Sequence, residues 1–156
     1  MNTLMPRRLV QALDLAPKEP LYQKLQRLGL SDARPNRSVE WCWEAPSGDP
    51  IVTLWDLHIR EESDGVATCA IPAGEWLDRS DLRTRSKALR LLTLLRSRMG
   101  GTVRVLVCEH DVDDQSVKIK RSMADTVKWK VVSEYGDRVV LLMRMDRYFR
   151  DRGEAS

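Results

Sequence analysis

The residues whose types could do chemistry form three thin groups and one broad one. Cys108-Glu-His-Asp111 is a local run of metal-capable side chains. Zinc sites pair their ligands at recurring spacings, and no second Cys-x-x-Cys or His-x-x-x-His accompanies this run. His58 with Asp56, or His110 with Asp111, has the types that acid-base work needs, yet these are the chain's only two His and no nucleophile elbow is present. Asp49, Asp56 and Glu62 fall on or near consecutive expected strands, the kind of carboxylates a metal-dependent nuclease gathers, but no Lys follows at close spacing. Phosphate-binding glycine loops and dinucleotide fingerprints are absent as well. No catalytic, cofactor-binding or metal-binding residue is therefore assigned, and a metal-dependent nuclease-like hydrolase stands as the last alternative.

The broad group is basic. Arg83, Lys87, Arg90 and Arg98 share one side of an expected helix, interrupted only by Leu94, with Arg85 and Arg96 on the opposite shoulder. Residues 82 to 99 hold six basic residues and no acidic one, so the i, i+4 Glu-to-Lys pairing that relieves repulsion is missing. Lys118, Lys120, Arg121, Lys128 and Lys130 follow, and the two sets join into one surface if the helix packs beside the C-terminal hairpin. Such a surface supplies phosphate contacts; the alternatives are a solvated face paired with carboxylates from elsewhere and a Lys-rich edge strand that discourages aggregation. Trp41, Trp43 and Trp55 either line an aromatic pocket or, by the default for large rings at period-2 spacing, fill the core.

The element that positions the basic residues is a helix from Asp81 to Met99. Ser80 or Asp81 can cap it, and Gly100-Gly101 stops it. Ala88, Leu91, Leu92, Leu95 and Met99 fall on one side at 100 degrees per residue, flanked by Leu82 and Leu89, so that side is expected to be buried. Thr102 to Cys108 follows as a strand apolar on both faces, which places it centrally in its sheet.

Along the rest of the chain, residues 3 to 15 and 20 to 28 read as short helices in an N-terminal arm of residues 1 to 37, with one α+β domain over residues 38 to 156. Ser38 to Ala45, Ile51 to Arg60 and Val66 to Ile71 read as a three-stranded meander with an acidic rim. Ser116 to Asp125 is a short strand or a basic turn. Val127 to Val132 and Arg138 to Met145 form a C-terminal hairpin, and residues 146 to 156 are a charged tail. The expected fold is α+β: an antiparallel curved sheet or partly open small barrel of five to six strands, with one long amphipathic helix packed on it.

Composition narrows the function classes. At 156 residues the chain can bury a self-supporting core. Cys42, Cys69 and Cys108 at wide spacing suggest reduced thiols in a cytoplasmic protein. Neither a signal-like apolar region nor an apolar run of about 18 residues is present, which argues against secretion and membrane partners. The net charge of +3 hides a strong segregation. Residues 36 to 81 carry three basic against ten acidic residues, while the helix carries only basic ones. Either these blocks neutralise each other in space or the protein has a polar axis.

The run from SKALRLLTLLR through VRVLV and KIKR-x-x-AD to WKVVSEYG and VLLMR resembles small PUA-like and SRA-like curved barrels that accompany HNH-type and modification-dependent restriction enzymes in bacteria. That resemblance implies a reader of nucleic acid, DNA above all, in a bacterial or phage defence-related system, with any cutting activity lying elsewhere because no HNH motif is present. The expected function is a non-enzymatic nucleic-acid-binding module. The alternative is a protein-interaction subunit, with a homodimer or an acidic protein as partner.

Overall fold

A computed structural model describes residues 21–28, 30, 40–45, 48–62, 66–79, 81–110 and 119–145. Its elements are α1 (Leu21–Arg27), β1 (Cys42–Trp43), β2 (Ile51–Trp55), a 3-10 turn (Asp56–His58), β3 (Ile59–Glu61), β4 (Ala67–Pro72), α2 (Ala73–Leu77), α3 (Leu82–Ser97), β5 (Thr102–His110), β6 (Ile119–Tyr135) and β7 (Val139–Arg144). The strands form one open sheet in the order β1-β2-β5-β6-β7-β4-β3. The α+β class is as expected, but the described sheet has seven strands rather than five or six, and it is mixed rather than antiparallel, because β2 and β5 run parallel.

That parallel pair explains why β5 is apolar on both faces. A parallel connection needs a crossover, and here β3, β4, α2 and α3 all intervene before the chain returns beside β2. On one face of β5, Arg104 reaches the carbonyl of Leu28, and Lys24 of α1 donates to the carbonyl and hydroxyl of Ser122 on neighbouring β6. The other face carries Val103, Val105 and Val107, all fully buried, in the same core as Leu91, Leu92 and Leu95 of α3. Leu25 and Leu30 also enter this core without exposure, so the described part of the N-terminal arm is packed on the body. The predicted helix over residues 3 to 15 and the charged tail from residue 146 lie outside the described residues.

The sheet is strongly curled, and the chain's own reach dictates it. β2 and β3 lie five strands apart, which in a flat sheet is ~24 Å. Trp55 to Ile59 spans at most ~14 Å even when fully extended, so the far edge must bend back toward β2. The 3-10 turn that makes the jump touches both β5 and β4. This turn corrects the expected meander: the run from Ile51 to Arg60 is two strands, not one, and β3 pairs only with β4.

The bend is located in β6, which joins the described part of the expected Ser116–Asp125 segment, from Ile119 onward, and the Val127–Val132 strand into one element. Its first half pairs with β5 and its second half with β7, and only Trp129 and Lys130 pair on both sides. Between Asp125 and Trp129 the register slips, Arg104 of β5 standing opposite three residues of β6, Thr126, Val127 and Lys128. Asp125 secures this irregular stretch. Its carboxylate accepts from Val127 N at 3.0 Å, Trp129 Nε1 at 2.9 Å, Arg144 Nε at 2.8 Å and Arg144 Nη2 at 3.0 Å. Both partners of the ion pair are buried, and both carboxylate oxygens are occupied.

The long helix forms as its sequence dictates. Asp81 accepts from Arg83 N at 3.0 Å and from the Thr84 hydroxyl at 2.8 Å, and Gly100, at φ 82°, takes the left-handed turn that ends it. Two details differ from the expected apolar side. Leu94 is buried, while Met99, Leu82 and Leu89 are exposed.

Candidate nucleic-acid interface

Three of the six cations on α3 and its C-cap, Arg90, Arg96 and Arg98, meet described carboxylates, and the division follows the helix axis. At its C-terminal end, Arg96 makes a bidentate pair with Glu134 at 2.7 and 2.6 Å. Each partner holds the other charged, raising the Arg96 pKa and lowering that of Glu134. Arg98 and Lys128 share one carboxylate, Asp49, the latter at 3.1 Å. The Thr102 hydroxyl donates to Asp49 at 2.6 Å, and this bond, followed by Lys128 and Arg98, keeps the Asp49 carboxyl below its ordinary range. In mid-helix, Arg90 Nη1 lies 3.0 Å from Glu40.

The N-terminal half is different. Among the described residues, Arg83 and Arg85 have no ion-pair partner, and Lys87 stands 6.0 Å over the Trp41 ring rather than beside a carboxylate. Arg83, Lys87 and Arg90 open into one cleft of about 560 Å³ together with Leu82, Ser86 and Glu40. Arg90 also borders a second cleft of about 410 Å³, lined by Cys42, Glu44, Leu89, Thr93, Leu94 and Ser97. Both clefts lie between α3 and the segment that leads through β1 and share Arg90, so together they outline a groove along the helix.

The sequence-predicted basic residues therefore divide. Arg83, Lys87 and Arg90 are brought together, and Arg98 meets Lys128 at the far end of the helix. Lys130 lies in the sheet between Thr102 and Met143. Lys118 falls outside the described residues, and for Lys120 and Arg121 only the backbone of β6 is described. Glu40, Leu82 and Leu89 were not singled out from sequence as lining residues. Glu40 carries a weak signal, since it alternates with the buried Trp41 and Trp43. Leu82 and Leu89 carry none, because their helical position flanks the buried stripe.

No protein-family model, no curated protein and no solved structure matches this chain.

The other chemistry-capable groups are accounted for by packing. Trp41 and Trp55 form a cluster whose third ring is Trp76 of α2 rather than Trp43, with centroids 4.9 to 5.2 Å apart in edge-to-face geometry. All three rings are buried, so the cluster is core, with Trp55 Nε1 enclosed there without a hydrogen-bond partner among the described residues. His58 tilts against Trp76 at 5.6 Å. The three cysteines are buried and free, and burial pushes the Cys42 thiol up to about 11 and the Cys108 thiol up to about 12. Among the described residues, no three His, Cys, Asp or Glu side chains are grouped to hold a metal ion, and no helix is long and apolar enough to cross a membrane.

Proposed function

We propose that this protein is a non-enzymatic nucleic-acid-binding module that contacts phosphates through the exposed side of α3. The observation that carries the reading is that Arg83, Lys87 and Arg90 share one open cleft in which Glu40 is the single carboxylate among the described lining residues. The Arg90–Glu40 pair does not close the cleft to phosphate. With the Arg90 side chain 61% exposed, such a pair contributes ~0–1 kcal/mol and yields readily to a competing anion. Arg98 and Lys128, two cations on one carboxylate, extend the positive surface beyond the helix end. The role of accessory DNA reader in a bacterial defence-related system, implied by the resemblance to PUA-like and SRA-like modules, belongs to the same proposal.

A salt titration tests it. Three phosphate contacts give a slope of log affinity against log salt of about −2 to −3. Replacing Arg83 and Lys87 by Ala is expected to flatten that slope by about two contacts, and absence of binding to any nucleic acid at low salt refutes the reading. One observation favours a second reading, a homodimer or an acidic protein partner: Leu82 is 72% and Leu89 55% exposed on the same helix. Light scattering across protein concentration and ionic strength separates the two, a salt-insensitive monomer counting against a dimer.

A further inference from the structure

Building on the nucleic-acid reading, we infer that the groove along α3 takes single-stranded rather than duplex nucleic acid. The first reason is shape. The cations open into a concavity between α3 and the Glu40–Glu44 segment, not onto a ridge or a flat face. A duplex presents its phosphates on a rigid convex surface and approaches such a cleft only at its rim, whereas a flexible strand can lie along the cleft. The second reason is chemical. Leu82 and Leu89, both largely exposed, are two helical turns apart, about 10.5 Å: Leu82 lines the cleft with Arg83, Lys87 and Arg90, and Leu89 lines the adjoining one with Arg90. Apolar surface interleaved with cations suits a ligand that offers phosphates and apolar faces together. Single strands do so because their bases are unstacked; in a duplex those faces are hidden in the stack.

The guanidinium planes favour nucleic acid over an acidic peptide. Arg83 has no carboxylate partner among the described residues, and a planar guanidinium stacks on a base as well as pairing with a phosphate. Within the groove, phosphates are placed against Arg83 and Lys87, and bases against Leu82 and Leu89. Arg90 adds a third phosphate contact when an anion displaces Glu40 from it.

Fluorescence anisotropy at low salt with the whole chain provides the test, using a labelled single-stranded oligonucleotide, the duplex of the same length and poly-glutamate. The single strand is expected to bind about tenfold more tightly than the duplex. Leu82→Ser combined with Leu89→Ser is expected to lower single-strand affinity by about tenfold and leave duplex affinity unchanged. Both leucines are solvent-facing, so the fold is retained, which circular dichroism checks. A duplex bound as tightly as the single strand, or a double variant that binds the single strand normally, overturns the inference and leaves the broader reading standing. Poly-glutamate bound more tightly than either nucleic acid assigns the groove to an acidic protein and overturns it. Failure of every nucleic acid to bind removes the broader reading along with it.

Discussion

Replacing Arg83 by Glu is expected to stabilise the protein while it weakens binding. Arg83 is the second residue of α3, where unsatisfied backbone amides create partial positive charge, so a cation there is unfavourable. The structure provides little relief beyond the Asp81 cap: Arg85 and Lys87 follow on the same half of the helix, and none of the three has an ion-pair partner among the described residues. A carboxylate at position 83 interacts favourably with the helix dipole, worth ~0.3–1 kcal/mol. It also lies four residues before Lys87, the favourable Glu-to-Lys orientation, worth ~0.2–0.5 kcal/mol. Together they give a gain of ~0.5–1.5 kcal/mol, a rise of roughly 1–6 °C in melting temperature for a domain of this size. Urea denaturation measures the gain, and a salt titration of nucleic-acid binding measures the loss. Arg96→Glu is the contrasting control. It sets a second carboxylate against Glu134 at the negative end of the helix and is expected to destabilise the fold. If Arg83→Glu lowers stability, or if it leaves binding unchanged, the cationic N-terminal half of α3 is structural and the reasoning fails.

Three further outcomes are expected. Asp125→Ala removes the carboxylate from a buried pair and leaves the Arg144 guanidinium buried opposite a void, which costs ~3–5 kcal/mol by chemical denaturation; a cost below ~1 kcal/mol would show that the bend in β6 is held by other contacts. Gly74→Ala places a Cβ 2.1 Å from the Asp137 carbonyl oxygen, so the β6–β7 turn must move away from α2, at a cost of ~1–3 kcal/mol read from the denaturation midpoint. Asp49 is held below the usual carboxylate range, so its contribution to stability is fully present above the unfolded value of about 3.9 and is lost as pH falls through its lower folded value. Asp49→Asn is expected to be less stable near neutrality and to lose part of the acid sensitivity below about pH 4 in a series of urea midpoints, and an unchanged acid limb would count against the Thr102, Lys128 and Arg98 arrangement.

What could be read from the sequence was local, and what could not was pairing at a distance. Asp81, the apolar spacing of Ala88, Leu91, Leu92 and Leu95, and Gly100 act within a few turns of one another, and the helix bounds follow from them. Val103 to Val107 announces a two-sided strand for the same reason. Nothing local distinguishes a parallel from an antiparallel neighbour, so β2 beside β5 was not visible, and the alternation through Ile51, Trp55 and Ile59 concealed the 3-10 turn at Asp56 that sends β3 to the far edge. Asp125, Trp129 and Arg144 are ordinary residues of two expected strands until β6 bends and brings them together.

The charge blocks show how the same limit applies to the site. Composition leaves two outcomes for the acidic stretch and the basic helix, cancellation or a polar axis, and the fold realises each on one half of α3. Glu40 and Asp49 come from the acidic block and meet Arg90 and Arg98, because the chain around β1 and the start of β2 lies beside the middle and end of the helix. Glu134 reaches Arg96 from the second half of β6, the part that turns away from β5 toward β7. Beyond the Asp81 cap, no carboxylate is described in an ion pair with Arg83, Arg85 or Lys87 at the helix start. Which cations remain open is thus decided by the curl of the sheet, which brings partners to one end of α3 and leaves the other facing the cleft. Cations that lack an ion-pair partner among the described residues, at the end where the helix dipole disfavours them, gain nothing in stability from that arrangement. On the proposed reading their placement serves an anionic ligand, and so stability and binding are expected to move in opposite directions when Arg83 is reversed.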